Sequence, residues 1–164
     1  MPELYSICYT PHDAAAHEQS PDAYVRVQLT HARLVTGRGI DGDRKGRHPT
    51  RQLNIMSYEE LAALGEGGLN VQPGAMGEQI ILKGFNVADL HPGDRVQIGA
   101  SAIFEMTDFR NGCERFLHIQ GRDPQTLKRR LGIMARVVSD GPIQVGDPVR
   151  VVAYAAQSAP QNLE

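Results

Sequence analysis

Residues 142–154 read PIQVGDPVRVVAY. A Gly-Asp pair at 146–147 divides two short apolar runs, and Val149 and Val151 then recur with the period of two that marks a half-buried strand. The same device stands earlier, as GDRVQI at 93–98. Glycine supplies the turn backbone and the valines or isoleucines supply the strand, so each motif reads as a hairpin step. Turn signals recur between strands, which favours a mainly β fold, a mostly antiparallel barrel with a few short helices, over alternating βαβ units. No GxGxxG opens a helix after a strand, so a dinucleotide fold has no fingerprint here.

Working outward, IMARVVS (133–139) pairs with 142–154 as a closing hairpin. Tyr5–Tyr9 reads as a first strand and residues 12–22 as a loop or short helix. YVRVQLTHARLV (24–35) places Val25, Val27 and Leu29 on one parity, a single half-buried strand. Residues 36–50 hold four glycines and a proline among charges, a long polar loop. RQLNIM (51–56) reads as a strand, followed by S-Y-E-E from Ser57, a capping-box pattern. Leu61 and Leu64 share a helical face until Gly65, Gly67 and Gly68 end it. PGAMGEQIIL (73–82) is a glycine turn feeding a strand. Asp123-Pro124 has the N-cap and N1 pattern of another helix, with Leu127 and Leu131 on one face and Gly132 closing it. The count is seven or eight strands and two or three helices. Residues 155–164 are a polar tail expected to fray.

The 164 residues suit a single domain over 1–164. The net charge of −2 and the absence of tryptophan argue against nucleic-acid binding. Two cysteines, Cys8 and Cys113, make neither a CxxC motif nor a disulfide framework. No signal peptide or long apolar span is present, so no membrane role is expected and the cytoplasm is the default location.

Four groups could carry chemistry. GIDGDRKGRH (39–48) offers Arg44 and Lys45 between glycines, a pattern suited to an anion, although a solvated loop explains it as well. Arg51 and Gln52 open the next strand, where an edge charge against aggregation is the ordinary explanation. Glu78 follows Gly77 and could bind a ring N–H or brace an arginine. Arg110, Asn111 and Cys113 form the last group. A thiolate binds metals and attacks electrophiles. Arg110 and Arg115 would favour that form and Glu114 would oppose it. A buried, inert thiol is the alternative.

In order along residues 36–152, GDRKG (42–46), RQ (51–52), PGAMGE (73–78), GDRVQIG (93–99), RNGC (110–113), ARV (135–137) and IQVGDPV (143–149) resemble the MOSC domain, the C-terminal domain type of molybdenum cofactor sulfurases. The chain is similar to the short, stand-alone bacterial form. The resemblance implies an antiparallel β-barrel with a pocket for the molybdenum cofactor (molybdopterin) or its sulfur. It implies that Cys113 accepts sulfur as a persulfide or ligates molybdenum. Arg44, Lys45, Arg51, Gln52, Glu78, Arg110 and Asn111 are then the expected cofactor contacts. A sulfur donor such as a cysteine desulfurase and a redox partner would be the protein partners. Two alternatives stand beside this binding or sulfur-carrier module: a molybdenum-dependent reductase of N-oxygenated compounds, and a barrel that has lost the chemistry. Many relatives have proline where Gly112 stands and asparagine where Gln79 stands.

Overall fold

A computed structural model of the protein describes residues 1–12, 25–111, 119–121 and 131–156. Cys113, Gly112, Glu114, Arg115, the 123–130 part of the expected helix and the end of the tail lie outside these residues, as does most of the 12–22 segment.

The described strands are β1 (Glu3–Tyr9), β2 (Val27–Leu29), β3 (His31–Val35), β4 (Gly39–Ile40), β5 (Leu53–Ser57), β6 (Ile80–Lys83), β7 (Arg95–Ile98), β8 (Ala102–Phe109), β9 (Ile133–Ser139), β10 (Gly141–Gln144) and β11 (Val149–Ala153). Among the described residues, helix α1 (Tyr58–Glu66) and a 3-10 turn (Val87–Asp89) accompany them. The large sheet runs β11-β7-β8-β9-β5-β6-β1-β2, and a small sheet runs β10-β3-β4. The small sheet packs against β8 and β9. The main core has Leu4, Ile55, Ile80, Phe104 and Ile133 fully buried and draws on strands of both sheets.

The mainly β reading holds and both Gly-Asp turns launch strands, β7 pairing with β8 and β11 with β7, all antiparallel, but the closing hairpin does not form: β9 pairs with β5 and β8, and β10 with β3. The barrel is not seen as a closed ladder. β11 and β2 stand at the two ends of the large sheet's order. The sheet curls until Glu3 bridges Pro148, with Leu4 N donating to Asp147 O at 2.9 Å and Gly146 N to Leu4 O at 2.7 Å. That contact is one bridge rather than a strand pair, because the outer side of β1 is taken up by β2 from Ile7 onward.

Three local readings change. The stretch 24–35 is two strands, broken at Thr30, and they belong to different sheets. Val27 is exposed although it shares a parity with Leu29, because β2 lies at an edge. β5 and β6 pair in parallel, with α1 as the crossover, so one βαβ unit sits inside the antiparallel sheet. α1 buries Leu61 and Leu64 as its spacing predicts, against Met56, Met76, Ile81 and Leu131 in a second, smaller cluster.

The capping box does not form at Ser57, which makes no side-chain cap bond. Its hydroxyl instead donates to Phe85 O at 2.8 Å and accepts from Val87 N at 2.9 Å, tying β5 to the 3-10 turn. Ser57→Ala would leave both buried groups without this partner, at a cost of about 1–3 kcal/mol. Thermal melting should show that loss while the helical signal in circular dichroism is kept. An unchanged melting temperature would mean that the two backbone groups find other partners.

Candidate functional site

The 73–79 loop lies between the two cores, and its course is set by Glu78. This carboxylate is buried, with Oε1 accepting from Gly74 N at 2.6 Å and Oε2 from Met76 N at 3.1 Å. Those bonds fold the loop around the carboxylate, which leaves the carbonyls of Met76 and Gly77 to receive bonds from elsewhere. Arg110, at the end of β8, donates to Met76 O at 2.5 Å, and its other terminal nitrogen contacts Met56 Sδ at 3.9 Å. Arg26, just before β2, donates to Gly77 O at 2.8 Å. Two guanidiniums from distant segments thus rest on adjacent carbonyls of one loop.

Arg26 also donates to Thr10 Oγ1 at 2.8 Å and Val25 O at 3.1 Å. Burial pulls its pKa down, Asp43 pushes it back up, and the like charge of Arg110 lowers it further. Burial drives the Glu78 carboxyl upward, against the amide donors of its own loop and the charge of Arg110. Cys8 sits beside them, 1% exposed, with its thiol 3.8 Å from Ser6 Oγ. Burial raises its pKa as well, so Cys8 stays a neutral thiol enclosed in the fold.

Asp43, inside the GDRKG stretch, connects this cluster to the loop beyond β4. Its Oδ1 accepts from Thr10 N and Lys45 N, each at 3.1 Å, and its Oδ2 accepts from Gln79 Nε2 at 3.1 Å. Gln79 also accepts from Asn54 N at 2.8 Å and donates to Gln52 O at 3.3 Å. Gln79 is therefore committed to joining β5, β6 and the Asp43 loop.

The expected site residues divide. Glu78 and Arg110 meet on Met76, Oε2 of one at its N–H and the guanidinium of the other at its carbonyl. Arg44 is brought to Thr10 by its backbone N–H at 2.8 Å, and Lys45 reaches Asp43 through its own. Gln52 is buried and braces Val137 N through Oε1 at 2.9 Å, a structural task. Arg51 and Asn111 are exposed. Glu78 holds its own loop through Gly74 N and Met76 N, and the carbonyls of that loop receive the two arginines. Arg26, Asp43 and Cys8 escaped the sequence reading. For Arg26 the available signal was a charge inside an alternating strand.

Gly74 has φ 84°, and a Cβ there would fall 2.5 Å from Arg26 Cβ and 3.5 Å from Cys8 Sγ. Gly74→Ala should cost at least roughly 1–3 kcal/mol from the left-handed backbone alone. It should also displace Arg26. A denaturation midpoint equal to the parent's would show that the loop does not rest against Arg26.

Among the described residues, no group of three His, Cys, Asp or Glu side chains is placed to hold a metal ion, and no helix is long and apolar enough to cross a membrane. The backbone is similar to YiiM from Geobacillus stearothermophilus, with TM-score 0.69 and 20% identity over 93% of this chain and 76% of that one. YiiM from Escherichia coli gives 0.69 and 19% over 94% and 72%. The YUAD protein from Bacillus subtilis gives 0.68 and 19% over 92% and 96%. At these identities the likeness is one of fold. No curated protein sequence matches the chain. The MOSC domain profile matches residues 41–150, about two thirds of the sequence, and so the chain belongs to the MOSC domain family.

Proposed function

We propose that the protein binds the molybdenum–pterin cofactor or carries its sulfur, with Cys113 as the thiol that accepts sulfur as a persulfide or ligates molybdenum. The observation that carries the reading is the pair of guanidiniums, Arg26 and Arg110, set on adjacent carbonyls of the 73–79 loop within a MOSC fold. Bringing two like charges into a mostly enclosed place is costly unless anions face them. Asp43 and Glu78 are anions near them, and an anionic cofactor arm would add to these.

The donor set fits the anionic half of such a group. Arginine forks suit phosphate and other planar or multi-oxygen anions. The metal half falls to Cys113, since Cys8 is enclosed and neutral. Soft thiolate ligands suit molybdenum and sulfur transfer alike. When bound, the cofactor would supply the metal's sulfur and redox chemistry. The chain's own part is to hold the anion with Arg26 and Arg110, to fix the loop through Glu78, and to present a thiol. Arg44, Lys45, Arg51 and Asn111 serve as outer contacts in this reading.

Protein made in a cofactor-producing host should co-purify with molybdenum and pterin, and protein from a cofactor-deficient host should carry neither. Preparations free of pterin from both hosts, with no sulfur bound at Cys113, would sink the proposal.

A further inference from the structure

On the outer side of Asp43 lies a cleft of about 590 Å³, lined by His12, Arg38, Asp41, Asp43 and Arg47, with Gly37, Ile40, Gly42 and Gly46 between them. Its size falls in the range of small-molecule sites, roughly 300–1,000 Å³. Its two walls are in direct contact. A Cβ on Gly46 would lie 1.7 Å from Arg38 O, so the 36–39 turn and the 44–47 turn can touch only because residue 46 is glycine. Arg38 and Arg47 therefore emerge from backbones fixed against each other.

Both arginines are exposed, and neither side chain forms a hydrogen bond or ion pair among the described residues. Asp43 does not neutralise them at close range: both its oxygens are engaged by Thr10, Lys45 and Gln79. Residues 36–51 hold five Lys or Arg against two Asp, in a chain whose net charge is −2. The cleft thus opens in a locally cationic region of an acidic protein, which steers anions toward it. Asp41 is the exception on the lining, an exposed carboxylate whose oxygens take part in no described bond. A bare inorganic anion would be repelled by it. A ligand that pairs an anionic group with a neighbouring hydroxyl would satisfy both signs.

We propose that this cleft binds a phosphate ester bearing a hydroxyl beside the phosphate, a ribosyl monophosphate being the simplest probe. Arg38 and Arg47 hold the phosphate, and Asp41 accepts from the hydroxyl. The site shares Asp43 with the Arg26–Glu78 cluster, and its argument does not depend on the cofactor reading. Its natural occupant is either a free phosphorylated metabolite or a phosphate arm of a larger cofactor.

Calorimetric titration of protein from a cofactor-deficient host with adenosine monophosphate should show binding that weakens with salt, and adenosine should not bind. Arg38→Ala and Arg47→Ala should each weaken binding by at least about tenfold, the value of one charge-assisted bond. Arg150→Ala, an exposed change on β11, should leave it intact. Asp41→Asn should erase the preference for the ester over inorganic phosphate. All these positions are exposed, so the variants should melt as the parent does. No heat at millimolar nucleotide, or binding unchanged in both arginine variants, overturns the proposal and leaves a solvated basic loop. Pterin content of the same variants made in a cofactor-producing host identifies the source: a drop assigns the phosphate to the cofactor, and no change to a free metabolite. If no preparation contains pterin, the cofactor reading fails while the nucleotide titration still decides this site.

Discussion

Arg26→Met is expected to destabilise the fold by about 3–5 kcal/mol, the usual cost of removing one partner from a buried charge cluster. For a chain of this size that corresponds to a melting temperature lower by roughly 10 °C or more. Methionine keeps much of the volume but returns none of the bonds to Thr10 Oγ1, Val25 O and Gly77 O. It also takes a positive charge away from Asp43 and Glu78, which are both buried. The loss should depend on pH, and its sign follows from Glu78. Burial raises the carboxyl's pKa in the folded protein, so the folded state holds that proton more tightly than the unfolded chain. Such a group lowers stability as pH rises through the interval between its unfolded and folded values. Without Arg26 the folded value rises further and the interval widens. The deficit of the variant should accordingly be larger at pH 7 than at pH 5. Equal deficits at both would show that Arg26 acts through its hydrogen bonds alone.

Strand identity was legible wherever a glycine turn met alternating valines, as at 93–98 and 146–151, because period and turn chemistry are local. Helix α1 was legible for the same reason. What pairs with what was not. The parallel contact of β5 and β6 depends on how α1 crosses over, and periodicity has no direction. The break at Thr30 exists because β2 and β3 serve different sheets, a constraint that no window of twelve residues contains. The curl that stops at one bridge between Glu3 and Pro148 is likewise a property of the whole sheet.

The site follows the same division. Glu78 and Arg110 stand in motifs, so sequence could nominate them. Arg26 could not be nominated, since a charge in an alternating strand ordinarily faces water. Its burial becomes tolerable through partners such as Asp43, Gly77 and Glu78, which lie far along the chain. Gln52 stands beside a motif arginine, and its amide holds Val137 and Pro49, a task that sequence alone does not reveal.

Cys113→Ser should abolish cofactor retention or sulfur loading while leaving the melting temperature nearly unchanged. A hydroxyl is a hard, neutral ligand at physiological pH, whereas the thiolate is the form that binds soft metals and accepts sulfur. Serine is close in size to cysteine, and a thiol that accepts sulfur or meets a cofactor must be reachable from solvent, where a hydroxyl can be hydrated, so folding has little reason to suffer. Cys8→Ser provides the contrast within the same molecule. Cys8 is enclosed by Ser6, Arg26 and Glu78, and its thiol is held neutral by burial. A serine hydroxyl there would need a partner in a packed interior, and going without one costs about 1–3 kcal/mol. The two variants should therefore separate: Cys8→Ser loses stability and keeps function in its folded fraction, and Cys113→Ser does the reverse. Thiol labelling of the native protein should modify Cys113 quickly and Cys8 only on unfolding. Rapid labelling of neither, with binding intact in Cys113→Ser, would remove Cys113 from the chemistry and leave the two arginines as an anion site without a thiol.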